Sequence, residues 1–209
     1  MNNELKKRLL SSIILIPVSI FFIINGSILF MFFLGFLFLF ASYEWVIMSK
    51  KNNLLKYLGI IFLFFSFYTA FEIRGDKNVN DFLLILTICI FTDIGGYIFG
   101  KTFKGPTLTR ISPKKTYTGV LGSFLFSLTA GLVFIKYFYI EQKIFNEDLF
   151  FIFILFLSLI SQTGDLIISF FKRKAKIKDT GKILPGHGGL LDRIDGMIFV
   201  FPICYLIII

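Results

Sequence analysis

Residues 158–195 read SLISQTGDLIISFFKRKAKIKDTGKILPGHGGLLDRID, and this stretch sets the architecture of the whole chain. It begins inside an apolar segment and leaves through the basic cluster Lys172-Arg173-Lys174. It then crosses a Gly/Pro loop holding the only histidine, His187, closes on Asp192-Arg193-Ile194-Asp195, and runs back into apolar sequence. An apolar segment that exits through cations and re-enters after a polar loop is the pattern of a membrane hairpin. Composition agrees. The chain is 56% hydrophobic, above the roughly 45–50% of soluble domains, and its mean hydropathy is +0.82. The fold class is therefore all-α: a polytopic integral membrane helix bundle forming one domain over residues 1–209. The thirty phenylalanines are read as lipid-facing filler rather than as an aromatic binding site.

Several function classes drop out. Cys89 and Cys204 lie in apolar segments, with no C-x-x-C or Cys/His cluster, so neither a zinc site nor a disulfide framework is supported. The net charge of +9 reflects orientation and anionic headgroups. The basic clusters lack interleaved aromatic residues for base stacking, so no nucleic-acid partner is expected.

Working outward from 158–195, seven apolar segments are expected as helices: 9–24, 27–48, 54–72, 82–100, 117–139, 149–171 and 196–209. The first resembles a signal peptide, but a second apolar run follows at once with no small-residue cleavage site, which favours an uncleaved anchor. Asn25-Gly26 marks a tight turn, and Tyr43 and Trp45 stand at the depth of an aromatic belt. Charge fixes the orientation. Lys6, Lys7, Arg8, Lys50, Lys51 and Lys56, five basic residues over 101–115 and seven over 172–193 make eighteen of the 22 Lys and Arg on one side. Only Arg74, Lys77, Lys136 and Lys143 fall on the other. The positive-inside rule then places the N-terminus and the large basic loops in the cytoplasm and the C-terminus outside, with a final segment short enough to be partly re-entrant. A bacterial-type inner membrane is the expected setting. Residues 1–80 read as anchoring helices and 81–209 as the catalytic part. No internal repeat is visible, which speaks against an inverted-repeat transporter.

Three carboxylates lie in or near apolar segments: Glu44, Asp93 and Asp165. A charge at mid-bilayer costs at least about 2.5–3.5 kcal/mol, so such groups face a cavity or a partner. Asp93 precedes Lys101 by eight residues and Asp165 precedes Lys172 by seven. At 1.5 Å per residue both sit roughly 10–12 Å inside the same boundary. Two helices thus bring carboxylates to one depth, as a polar cavity open to the cytoplasm requires. Ser161, Gln162, Ser169 and Lys172 share the Asp165 face as a polar stripe. Gly96 and Gly100 beside Asp93 allow close approach of a backbone or a ligand. Glu44, near a helix end beside Trp45, is expected to snorkel to the interface.

The polar loops carry the remaining chemistry. Lys114 and Lys115 next to a helix N-terminus, which Thr116 or Thr118 would cap, make an anion site. In 172–195, Lys172, Arg173 and Lys178 supply cations, while Gly181, Gly186, Gly188 and Gly189 permit backbone N–H groups to turn toward phosphate. Asp192 and Asp195, at i and i+3, suit a divalent metal that bridges phosphate oxygens. Asp179 sits among lysines and balances local charge. His187 is open between base, phosphate donor and structural residue, because phosphoryl chemistry relies mainly on positioning and charge.

These motifs resemble the phosphatidate cytidylyltransferases, or CDP-diacylglycerol synthases. The resemblance runs through Ser169-Phe170-Phe171-Lys172-Arg173, Lys178-Asp179 and His187-Gly188-Gly189-Leu190-Leu191-Asp192-Arg193-Ile194-Asp195. Two further stretches belong to it: Ser161-Gln162-Thr163-Gly164-Asp165-Leu166, and the region from Asp93 through Gly100-Lys101 to Ser112-Pro113-Lys114-Lys115-Thr116. It covers about residues 90–200, with a weak echo at Tyr43-Glu44-Trp45, and the chain has fewer spans before the Asp93 helix than many relatives.

The resemblance implies an enzyme that joins CTP and phosphatidate into CDP-diacylglycerol and pyrophosphate with Mg²⁺, with room for a second metal ion. It implies Asp165 and Asp192, with Asp195 next, as metal ligands, and Asp165, Asp192, Lys172 and Arg173 as the catalytic set. Asp93, Lys114, Lys115, Thr116, Ser169, Lys178, His187, Gly188, Gly189 and Arg193 would contact substrate. CTP, membrane phosphatidate and a second copy in a homodimer are the implied partners. Two other readings stay open at this point: a CTP-dependent lipid kinase releasing CDP, and an ion or metabolite transporter using Asp93 and Asp165 as a cation path.

Overall fold

A computed structural model describes residues 3–75, 79–138, 147–181, 183 and 188–208. The order is α1 (Asn3–Asn25), α2 (Ser27–Met48), α3 (Asn53–Arg74), α4 (Val79–Phe103), α5 (Tyr117–Phe138), α6 (Glu147–Lys174), the single turn α7 (Leu191–Ile194) and α8 (Met197–Ile208). Each of the seven expected apolar segments coincides with a helix over its described residues, the last beginning at Met197. Among the described residues an antiparallel bridge joins Thr107 and Thr116. Five helices are long and apolar enough to cross a membrane: α2, α3, α4, α5 and the Leu149–Lys174 part of α6. The apolar stretches Leu15–Asn25 and Met197–Ile207 are shorter. Twelve residues of α8 rise only about 18 Å, less than the ~30 Å hydrocarbon core.

The helix ends show which loops belong together. At one end Trp45 stacks edge-on against Phe171, with ring centroids 5.2 Å apart, and Arg173 Nε donates to the Ile111 carbonyl at 3.3 Å. This gathers the 49–52 and 104–116 loops and residues 175–181 after α6, the basic segments. At the other end Arg74 donates from Nε to Ile23 O at 2.6 Å and from Nη2 to Ile24 O at 3.0 Å, capping α1. Gly26, at φ +59°, makes the turn beside it, and a Cβ there would collide with the guanidinium. The α1–α2 turn thus stands at the end of the bundle opposite the basic loops, as the charge count expects.

Packing follows residue size. On α4, Gly95, Gly96 and Gly100 face Gly119, Gly122 and Ser123 of α5. A Cβ on Gly122 would stand 2.6 Å from Gly95 O, and one on Gly119 would stand 2.9 Å from Gly96 O. Only glycine allows this backbone-to-backbone contact, the membrane counterpart of a small-residue helix seam. Phe30, Ile85, Ile88, Ile154, Leu157, Val200 and Cys204 form the main buried core. A second cluster, with Ala41, Trp45, Leu63, Ile168, Leu191 and Ile198, lies beneath α7. Both cysteines are free and buried. Trp45 departs from the belt expectation. It is 6% exposed, packs over Gly59 and donates from Nε1 to Leu55 O at 3.2 Å, because α3 crosses α2 where lipid was expected. Tyr43 does face outward.

Candidate active site

The α4–α5 seam and the upper half of α6 frame a polar cleft of about 310 Å³, lined by Asp93, Gly96, Lys114, Lys115, Thr116 and Asp165 among others. The two carboxylates inferred to share a depth thus do share a cavity. Lys115 Nζ pairs with Asp165 Oδ2 at 2.5 Å and reaches Gln162 O at 3.5 Å. Ser169, one turn on, donates to Asp165 Oδ1 at 3.2 Å. The stripe along α6 is real, and Lys115 turns toward it instead of waiting at the α5 N-terminus. Thr116 caps that terminus, accepting from Gly119 N at 3.1 Å. The glycines beside Asp93 admit the α5 backbone. Behind the cleft, Thr92 donates to Ser158 Oγ at 2.9 Å and Ser123 to Thr92 O at 2.8 Å, a buried polar layer that the sequence reading did not single out.

Asp195 sits in the turn before α8, 8% exposed, its Oδ1 accepting from Gly196 N at 3.0 Å, and it lies near enough to Asp165 to feel that carboxylate's charge. Burial pushes its carboxyl well above the usual range; the Asp165 charge adds to the rise and Lys172 opposes it. Asp93 acts on Asp195 through space, and Arg193 and Lys115 on Asp93. Three carboxylates from α4, α6 and the α7–α8 turn therefore interact, with Lys115, Lys172 and Arg193 around them.

Asp192 is placed differently. Its Oδ1 accepts from Lys172 Nζ at 2.7 Å, and its Oδ2 accepts from Thr180 N at 2.8 Å and Gly189 N at 3.1 Å. Lys172 and Asp192 are both about nine-tenths buried as side chains. Asp165, Asp192 and Asp195 do not assemble into one cluster, and among the described residues no three acidic, histidine or cysteine side chains converge to hold a metal by themselves. Gly188, at φ +89°, makes the turn that brings Gly189 N to Asp192.

The residue misjudged from sequence is Glu44. It does not snorkel. It is fully buried, accepting from Thr180 Oγ1 at 2.8 Å, Leu191 N at 2.8 Å and Leu190 N at 2.9 Å. Added Cβ atoms on Gly181 or Gly189 would collide with its carboxylate. Its partners lie 136–147 residues away, so no local pattern reveals the pairing; the available signal was the weak motif echo at Tyr43-Glu44-Trp45.

The other cations are outer residues. Arg173 straps the two large loops together, also donating from Nη1 to Ile177 O at 3.2 Å. Lys114 and Lys178 are exposed, and Arg193, one of the cations around the carboxylates, also reaches the surface. His187 lies outside the described residues.

The comparisons with known proteins converge on one family. A model described as cytidylyltransferase family matches residues 53–209, from α3 to the end of the chain. Proteins named phosphatidate cytidylyltransferase from Rickettsia felis and Rickettsia conorii are 36% and 39% identical over 209 and 208 residues. The first alignment covers 96% of this chain and 90% of the relative, the second 95% and 89%. One from Staphylococcus haemolyticus is 37% identical over 154 residues, 73% of this chain and 56% of the relative. The chain belongs to the phosphatidate cytidylyltransferase family. Its likeness to other cytidylyltransferases is broader than the motif region at 90–200: the rickettsial alignments also take in most of α1 and α2, where Glu44 resides. Membership and the helical architecture together make it a multi-pass membrane protein.

Proposed function

We propose that the chain is a nucleotidyltransferase that converts CTP and phosphatidate into CDP-diacylglycerol and pyrophosphate, within phospholipid biosynthesis. The observation that carries this reading is the cleft in which Asp93 and Asp165 meet Lys115, with Asp195 against Asp165. A phosphate oxygen of phosphatidate attacks the α-phosphorus of CTP. The new P–O bond forms as the bond to the β-phosphate oxygen breaks, and pyrophosphate leaves with those electrons. The nucleophile arrives on the substrate, so the protein needs no activated side chain. It must align two anions and offset their repulsion.

Lys115, Lys172 and Arg193 surround the carboxylates and face that task first; Lys114, Arg173 and Lys178 extend the positive field outward for the triphosphate. The donor set fits Mg²⁺, which takes one or two carboxylates and fills its remaining positions with water and substrate phosphates. Asp165 and Asp195 are the pair that would hold it, with Asp93 across the cleft. Bound there, the ion would offset charge on the phosphates. Both oxygens of Asp192 are engaged, so its role is to fix Lys172 and the glycine turn. The excess of cations at the site's end of the bundle supports a cytoplasm-facing cleft in a cell membrane, reached by CTP from water and by phosphatidate from the adjoining leaflet.

The test uses the purified full-length protein with phosphatidate vesicles, Mg²⁺ and CTP labelled at the α-phosphorus. Label should move into extractable lipid with one pyrophosphate per lipid labelled. Label that stays in water as CDP would establish the lipid kinase instead, and ion flux into sealed vesicles without lipid labelling would establish a transporter.

A further inference from the structure

Beside the polar cleft lies a larger cavity of about 530 Å³, enclosed by α1, α2, α3, α4 and α8. Its walls include Ile20, Phe33, Ala70, Leu86, Ile90 and Phe201. Two of its three lining hydroxyls are already used: Ser66 donates to Ile198 O and Thr87 to Leu83 O, while the third, Ser19, is on α1. The body of the cavity therefore gives a ligand apolar surface and few hydrogen bonds. Its charged boundary is Arg193, which lines one end and whose charge also bears on Asp93 in the polar cleft. The rim is open sideways, since Ile16, Ile20 and Ile90 are 58%, 47% and 44% exposed on the surface that faces hydrocarbon. Along α4 the wall runs from Phe82 to Ile90, about 12 Å.

An occupant must then be apolar along its length, anionic at one end, and able to enter from the bilayer. We infer that this cavity seats an acyl chain of the lipid substrate, with Arg193 at the junction between chain and phosphate. The assignment rests on the lipid-nucleotidyltransferase reading above. It makes the cavity walls the determinant of acyl-chain preference, separate from the groups that handle phosphate.

The experiment compares kcat/KM for dipalmitoyl and dioctanoyl phosphatidate in the full-length protein, for wild type, Leu86→Trp and Ile90→Trp. An indole in the cavity displaces about two methylenes of a long chain, so the palmitoyl-to-octanoyl ratio should fall about tenfold. Ile61→Trp, on the outer face of α3, should keep the wild-type ratio. A ratio unmoved by both cavity variants overturns the inference, including the case where they only lower thermal stability because a structural bilayer lipid sits there. Should the variants fail to fold, wild-type protein is labelled with phosphatidate carrying a mid-chain photoreactive group. Crosslinks to α1, α2, α4 or α8 cavity residues support the assignment, and crosslinks confined elsewhere overturn it. Absence of CTP-dependent turnover with either lipid would instead defeat the activity reading, whatever the crosslinks show.

Discussion

Glu44 and Asp165 are both carboxylates on apolar helices, yet their surroundings are opposite. Glu44 has no exposed surface, and its oxygens are met by two backbone N–H groups and a threonine hydroxyl. Asp165 borders an open cleft, next to Asp195, with one lysine and one serine as partners. A carboxylate saturated by backbone donors holds a loop, whereas one placed beside another carboxylate and open to a cleft has coordination left to give. Asp192 falls on the Glu44 side of this division. The two sets are coupled in space: Glu44 and Asp192 both bind Thr180, and the segment they fix leads into Asp195.

The sharpest way to break this comparison is Asp165→Asn. The Lys115–Asp165 pair is about a quarter exposed on each side, so its loss should change stability by no more than about 1 kcal/mol. Turnover should drop at least about a hundredfold, the scale seen when a group acting directly on transition-state charge is removed. Near-normal turnover in a folded variant would take Asp165 out of the reactive set.

Glu44→Ala should do the reverse, acting on stability first. It leaves the Leu190 and Leu191 N–H groups and the Thr180 hydroxyl without their acceptor, a loss of about 2–4 kcal/mol. The thermal unfolding midpoint should fall, and limited proteolysis should open the 180–190 loop. Glu44→Gln, which keeps an acceptor oxygen, should recover part of both. If Glu44→Ala removed turnover with its midpoint and proteolysis pattern intact, Glu44 would belong with Asp165.

Much of this was legible in the sequence, and the parts that were not share a cause. Helix positions follow from apolar run lengths, and the sidedness of the loops follows from Lys and Arg placement; both are local properties. Asp93 and Asp165 could be paired because helix rise converts sequence distance from a boundary into depth. Glu44, Thr92 and Ser158 were missed because their partners lie on other helices, and a lone polar residue in an apolar run carries no record of who meets it. Asp192 and Asp195 were read alike from their i, i+3 spacing. What separates them is the path of the loop, which turns Thr180 and Gly189 toward one carboxylate and Asp165 toward the other.

Gly122→Ala probes the frame that brings the halves of the cleft together. The added methyl would meet Gly95 O at 2.6 Å and press on the Phe99 ring, so α5 must move away from α4. Overpacking of this kind costs about 1–3 kcal/mol. Because Asp93 rides on α4 and Lys115 just precedes α5, the separation should also lower turnover, though less than Asp165→Asn does. A variant with a lower unfolding midpoint and wild-type turnover would show that the cleft tolerates a shifted seam.

The smallest effect separates capping from substrate contact at Thr116. Its hydroxyl accepts from Gly119 N and shares a hydrogen bond with the Thr118 hydroxyl, and it also borders the cleft. Thr116→Ala should cost about 1 kcal/mol, the usual value of a lost N-cap, and Thr116→Ser should restore it because serine caps equally well. If capping is the main role, turnover in both variants should follow the midpoint and the KM for CTP should stay fixed. A rise in KM for CTP in Thr116→Ala at an unchanged midpoint would mean that the hydroxyl meets the nucleotide. In that case Thr116 would join Asp165 among the groups with bonding capacity left for a ligand, while Glu44 and Asp192 stay saturated.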